Sequence, residues 1–350
     1  MTLIVDAHED IAWNMLALRR DVRRSALKTR ELESGSDVPE RNGICMVGLP
    51  EWLAGRVAIV FGTIYAPPAR RGREWGTDVY TNAEEAHAIG QRQLDAYHRL
   101  VDEEELIELV GSLDDLERVL ESWGGGSPRV GIVPLIEGAD PIREPAEAEM
   151  WFERGVRMVG LSWKAGTRYA GGDGSPGPLT DSGLELLEVM AELGMILDVS
   201  HLAERACDEA VGSFQGQVVA THANPRALVP GQRQLSDEMI HRLAERDGVV
   251  GIVPANPFLI ADWRTQVATL RDVAVAIDHV CQVVGDADHV GLGSDFDGGI
   301  GASDTPEALD TVADLPRIGP ALGDLGYDED QIEAILGGNW LSVLRRTLPA

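Results

Sequence analysis

The chain has 350 residues, 44% hydrophobic and 25% charged, with 30 basic against 58 acidic side chains and a net charge of -28. That length can bury a sizeable core, and the balance of apolar and charged residues suits a soluble globular protein. The negative charge argues against nucleic acid and anionic membranes as partners, since both are polyanions.

Lys28 and Lys164 are the only lysines, so almost all positive charge is arginine. The cysteines, Cys45, Cys207 and Cys281, are odd in number and far apart. They imply no disulfide framework and suit a reducing compartment. No basic segment followed by an apolar stretch opens the chain, and no run approaches ~18 apolar residues. Neither a signal peptide nor a transmembrane helix is expected, and a cytoplasmic location follows.

The first apolar run, Ile4-Val5-Asp6-Ala7-His8-Glu9-Asp10, reads as a strand with His8 and Asp10 on one face. Residues 11–42 predict a helix and then a polar loop broken by Gly35 and Pro39. Residues 57–65 are continuously apolar, as in a buried parallel strand. Pro67, Pro68 and the arginine-rich 69–73 predict a loop, and 82–102 an amphipathic helix. A short apolar run at 106–110 precedes a helix at 113–121, and Gly124–Pro128 breaks the pattern. A strand at 130–136 ends at Glu137.

The rhythm then becomes regular. Helices are expected at 145–154, 181–193, 203–211, 236–246 and 269–284, and strands at 156–161, 195–199, 217–221, 248–253 and 289–293. Residues 165–178 read as a Gly-rich loop, with Gly171-Gly172-Asp173-Gly174 a flexible stretch near the site, and helices fill 306–346. Alternating strands and helices imply a parallel sheet. Nine candidate strands are one too many for a (β/α)8 TIM-type barrel, and 106–110, between two helices with no chemistry at its end, is the one to set aside. The expectation is a single α/β barrel domain over 1–350 with a helical C-terminal extension.

Chemistry collects at the strand ends. The first strand ends in His8 and Asp10, the 130–136 strand in Glu137, and the next such ends are His201, His222 and Asp295. Active sites of (β/α)8 barrels lie at the C-terminal ends of the strands. Three histidines and three carboxylates there suit two divalent ions, with one carboxylate bridging and a hydroxide between them. Alone, His8 would read as a hydrogen-bonded core histidine; its five partners turn the reading to metal. Asp297 is the alternative to Asp295 as the active carboxylate.

The set resembles the membrane (renal) dipeptidase family of zinc peptidases, among the amidohydrolase-like barrels. The matching pieces are Asp6-Ala7-His8-Glu9-Asp10, Ile136-Glu137-Gly138, Asp198-Val199-Ser200-His201 and Thr221-His222. Arg233, Gly293-Ser294-Asp295-Phe296-Asp297-Gly298 and Gly337-Gly338-Asn339-Trp340 complete them. The resemblance implies two Zn2+ ions, one on His8 and Asp10, the other on His201 and His222, with Glu137 bridging. It implies Asp295 as acid/base and Arg233 as partner of a dipeptide's terminal carboxylate, in some members that of a D-residue. Members of the family often form homodimers.

Three positions depart from the family pattern. Leu161-Ser162-Trp163 stands where the dipeptidases often carry Leu-Thr-His, Gln234 follows Arg233 where Asn is usual, and no tyrosine occurs near Ala255–Phe258. Trp163 has only an indole N–H to donate, and reads as a substrate-pocket wall or as packing. It opens a second reading, hydrolysis of another small amide such as an N-acyl amino acid or lactam. A metal-binding protein without catalysis is the third reading. It predicts a missing ligand or acid/base, and all six residues are in place.

Overall fold

A computed structural model describes residues 2–69 and 79–350; most of the arginine-rich stretch read as a loop, 70–73, lies outside the described residues. The strands run in chain order as β1 (Ile4–Glu9), β2 (Val57–Tyr65), β3 (Ile107–Leu109), β4 (Val130–Glu137), β5 (Met158–Gly160), β6 (Ala170–Gly172), β7 (Ser175–Leu179), β8 (Ile196–Asp198), β9 (Val218–Val219), β10 (Val250–Ile252) and β11 (Val290–Leu292). Eight of them follow one another in the order β10-β11-β1-β2-β4-β5-β8-β9, and every pair is parallel. A single bridge, Ala220 to Val250, joins the two ends. The result is the nearly closed eight-stranded barrel that the alternation of strands and helices predicts.

The short run set aside as surplus does form a strand, β3, but outside this circuit. It pairs only with the first half of β4, Val130–Ile132, while Leu135–Glu137 of β4 pairs with β5. Two short strands thus share the edge of β4 that β2 leaves open.

Helices cover the barrel where apolar periodicity places them, at Ala83–Glu103, Leu113–Ser122, Asp181–Leu193, Glu204–Ser213, Asp237–Ala244 and Leu270–Val284. Several begin at side-chain caps that satisfy free backbone N–H groups, such as Asn82, Ser112, Thr180 and Ser236. Among the described residues no helix is long and apolar enough to cross a membrane.

Two expectations are corrected. The stretch after β1 is largely helical, with Ala26–Glu33 capped by Ser25 and a further turn at Val38–Asn42. Pro39 lies in the first turn of that helix, where its missing N–H costs nothing. Residues 165–178, read as a Gly-rich loop, contain most of the antiparallel hairpin β6–β7. Glycine lets its strands close up: a Cβ on Gly171 would lie 2.3 Å from Gly177 N.

The C-terminal helices are anchored by Asn339 and Trp340. Asn339 donates to Ala287 O and Val290 O, and the buried Trp340 indole donates to Leu292 O at 3.0 Å. The shared motif near the chain's end therefore locks the last helix, Asn339–Thr347, onto β11.

Candidate metal centre

The barrel rim brings its polar residues together through backbone turns at the strand ends. Asp6 Oδ1 accepts from Ser294 N at 2.7 Å, and Asp295 N donates to His8 O at 3.0 Å, so the end of β11 continues alongside β1. His201 and Asp295 have φ of 64° and 57°, a left-handed conformation unusual outside glycine. Such turns follow β8 and β11 directly and fix where both side chains leave the backbone.

Six side chains converge there. His8, Asp10 and Glu137 form one cluster of candidate ligand atoms, Glu137, His201 and His222 a second, and His8, His222 and Asp295 a third, the atoms of each within 4.8 Å of one another. Glu137 Oε1 is common to three contacts, 3.6 Å from His8 Nε2, 3.2 Å from His201 Nε2 and 3.4 Å from His222 Nε2. The rings of His8 and His222 stack with centroids 3.6 Å apart.

Hydrogen bonds on the far side of each imidazole decide which nitrogen faces Glu137. Thr221 Oγ1 is 2.6 Å from Asp198 Oδ2, 2.9 Å from His222 Nδ1 and 3.2 Å from His8 Nδ1. A hydroxyl has one proton and two lone pairs. The proton goes to the carboxylate, so the lone pairs accept the Nδ1–H groups of both histidines. His201 Nδ1 donates in turn to Asp173 Oδ2 at 3.0 Å. Each Nε2 is left as a bare lone pair aimed at Glu137, and those of His8 and His222 are buried with no hydrogen-bond partner.

The electrostatics agree. Burial holds the His8 and His222 imidazoles well below their usual range, and burial with the nearby Arg233 charge brings His201 down to about 4. All three are neutral at pH 7. Burial, and then the charges of Asp10 and Asp295, pushes Glu137 well above the carboxylate range. Burial raises Asp10 to about 6, and burial with the Asp10 charge raises Asp295 well above its usual value. Neutral lone pairs crowded with carboxylates are a set of N/O donors that suits divalent metal.

Of the two carboxyls left open after β11, Asp295 lines a cavity of ≈ 140 Å³ with Asp10, Glu137, His201, Trp163 and Tyr65. Asp297 faces away: it accepts from Met46 N at 2.9 Å and pairs with Arg20 at 3.3 Å. Trp163 stands at the cavity wall, its ring centroid 5.1 Å from that of Tyr65 and 6.1 Å from that of His201. Arg233 reaches the centre from the loop after His222, donating from Nη2 to His222 O at 2.6 Å; its Nη1 is buried without a partner. Other histidines serve structure: His87, His98 and His289 bond to the carbonyls of Pro141, Arg154 and Gly248.

Four participants escaped the sequence reading. Tyr65 ends β2, and the strand-end rule that found Glu137 would have found it too. Thr221 and Asp198 lie within the matched motifs, but nothing in the sequence says that one hydroxyl serves two imidazoles. Asp173 sits in the Gly171–Gly174 stretch read as lying near the site, but without alternation no pattern gave it a role.

The chain matches the family model described as membrane dipeptidase (peptidase family M19) over residues 1–348. An uncharacterized Klebsiella pneumoniae protein from the pqqA 5′ region is 36% identical over 249 residues, 68% of this chain and 88% of its own. The dipeptidase aclJ of Aspergillus oryzae is 28% identical over 348 residues, 97% of this chain and 77% of its own. Among solved structures, the M19 metallopeptidase named dipeptidase AC superposes with a TM-score of 0.81 at 25% identity, covering 100% of this chain and 99% of its own. A Rhodobacter sphaeroides metallopeptidase, solved with a phosphinate mimic of L-Ala-D-Ala, gives a TM-score of 0.81 at 24% identity, covering 99% of this chain and 100% of its own.

Proposed function

Because this chain belongs to the membrane dipeptidase family of metallopeptidases, family M19, we propose that it is a metal-dependent dipeptidase acting on free dipeptides at the barrel rim. The observation that carries this reading is the convergence of three bare Nε2 lone pairs on Glu137 Oε1, at 3.2 to 3.6 Å. The donors suit two divalent ions, Zn2+ before others: His8 and Asp10 would hold one, His201 and His222 the other, with Glu137 between them. Bound there, such ions supply Lewis acidity, making a water ionisable near pH 7 and polarising the scissile carbonyl.

The remaining work falls to side chains. Asp295, whose carboxyl burial and the Asp10 charge hold well above its usual range, receives the proton of the attacking water and delivers it to the leaving amine. Arg233 offers the free Nη1 to the substrate's C-terminal carboxylate, a charge-assisted bond that favours a dipeptide over a longer chain. Trp163 and Tyr65 wall the cavity and limit what fits beside the scissile bond. The free, buried cysteines support a cytoplasmic placement.

A substrate panel tests the reading: L-Ala-L-Ala, L-Ala-D-Ala, their C-terminal amides and N-acetyl-L-alanine. Turnover of free dipeptides, and poor turnover of the amides, is expected. Turnover of N-acetyl-L-alanine alone would move the activity to N-acyl amino acids, the reading that Trp163 in the family's histidine position favours.

A further inference from the structure

The β6–β7 hairpin does more than cover the barrel. Its tip is tied to the loop after β8 by backbone bonds: Asp173 N donates to His201 O at 2.9 Å and Ala203 N to Gly171 O at 3.0 Å. Gly172 bridges to Leu202, and Gly174 N donates to Lys164 O at 2.9 Å. The fit is tight enough that a Cβ on Gly172 would lie 2.2 Å from Trp163 O. The hairpin tip is therefore clamped between the Trp163 segment and the His201 turn, and Asp173 has little freedom of position.

Its side chain, only 6% exposed, puts one oxygen to two uses. Asp173 Oδ2 accepts from His201 Nδ1 at 3.0 Å and lies 3.6 Å from Arg233 Nε. Arg233 is then held along two sides, by Asp173 at Nε and by His222 O at Nη2, with its plane over the Phe258 ring. The nitrogen left over is Nη1, buried and unpartnered.

We propose that Asp173 is a positioning residue that joins the two halves of the site: it sets the tautomer of His201 for metal and fixes the guanidinium of Arg233 for the substrate carboxylate. The second half of this inference rests on the dipeptidase reading; the first does not. A carboxylate behind a metal-binding imidazole fixes the ring and raises the basicity of the facing nitrogen, and its loss typically costs ~10–100-fold in metal affinity. The same charge opposite Nε keeps the fork from swinging toward the carboxylates of the metal centre. One oxygen thus serves both functions.

Two substitutions separate the roles. Asp173→Asn keeps an acceptor for His201 Nδ1–H but removes the charge facing Arg233; Asp173→Ala removes both. Metal affinity is read by competition against a chelator without substrate, and kcat and KM are read separately on L-Ala-L-Ala, with circular dichroism to establish folding. Asp173→Ala should lose ~10–100-fold in metal affinity. Asp173→Asn, which keeps the acceptor but not the charge, should lose less metal affinity than Asp173→Ala, while KM rises ~10-fold with a smaller change in kcat, as expected when uniform binding is lost. That KM effect should vanish in an Arg233→Met background, because coupled residues are not additive. Wild-type metal affinity in a folded Asp173→Ala protein, an unchanged KM in Asp173→Asn, or full additivity with Arg233→Met would each overturn the proposal. Should Asp173→Ala not fold, Asp173→Asn and its double-mutant cycle decide. If wild type turns over no dipeptide, the dipeptidase reading fails, and the metal titration alone decides the link between Asp173 and His201.

Discussion

Thr221 donates its hydroxyl proton to Asp198 across 2.6 Å, and that one bond orients two metal-facing imidazoles, because the freed lone pairs accept from both His8 and His222. Thr221→Val keeps the shape and removes the hydroxyl. It should leave two buried Nδ1–H groups unpaired, at ~1–3 kcal/mol each, and free both rings to adopt the wrong tautomer. Metal affinity should fall ~10–100-fold, and Thr221→Ser should restore most of it. Chelator competition on the three proteins checks this.

The same residue constrains its neighbours through its carbonyl. A Cβ at Gly293 would lie 1.7 Å from Thr221 O, and one at Gly251 1.9 Å away. Gly293→Ala must push β11 from β9 and should destabilise the protein by ~3 kcal/mol or more, beyond ordinary overpacking. Gly231→Ala, where a Cβ meets nothing within 4 Å, should stay within ~0.5 kcal/mol of wild type. Urea unfolding midpoints compare the two.

Arg233 is the side chain whose role is most open to a kinetic test. Arg233→Met removes a charge-assisted bond worth ~1.5–3 kcal/mol, so KM for free dipeptides should rise ~10–100-fold while kcat changes far less. Dipeptide amides, which lack the carboxylate, should be almost indifferent to the change. Equal losses on both substrate types would place Arg233 outside substrate binding.

The raised carboxyls give a pH dependence with a definite sign. A folded-state value above the unfolded one stabilises at low pH, and that stabilisation is lost as pH rises through it. Asp10, lifted by burial to about 6, should therefore weaken the metal-free protein as pH rises from 5 to 7. Metal needs the ionised carboxylate, so its affinity should rise over the same interval. His201, held at about 4, adds no competing proton there. The gap in Tm between metal-loaded and metal-free protein should widen from pH 5 to pH 7. A gap that narrows would contradict this account of the site.

How much could be read from the sequence depended on whether a residue sat in a regular pattern. The apolar runs of β2 and β4 end where the sheet ends, because a strand buried on both faces has no room for polar side chains until it reaches the rim. That made the barrel, and the position of Glu137 on it, visible in advance. The helices Ala26–Glu33 and Val38–Asn42 were not visible, since Ala26–Glu33 is mostly polar and is held by Ser25 and by packing rather than by an apolar stripe. The β6–β7 hairpin was missed for a related reason: its glycines and prolines carry no alternation, and its strands are held by their own pairing and by contacts with distant segments. Asp173 was hidden with it. Its two partners lie 28 and 60 residues further along the chain, a distance that no local pattern spans.

The most direct test is to strip the protein with a chelator, reload it with Zn2+, and measure bound metal together with hydrolysis of L-Ala-L-Ala in wild type and Asp295→Asn. The expected result is about two ions per chain in both proteins. Hydrolysis should be lost on stripping and restored on reloading in wild type, and be lower in Asp295→Asn by ~100-fold or more. A wild-type protein that binds no divalent metal, or that hydrolyses dipeptides equally well without it, would contradict the account.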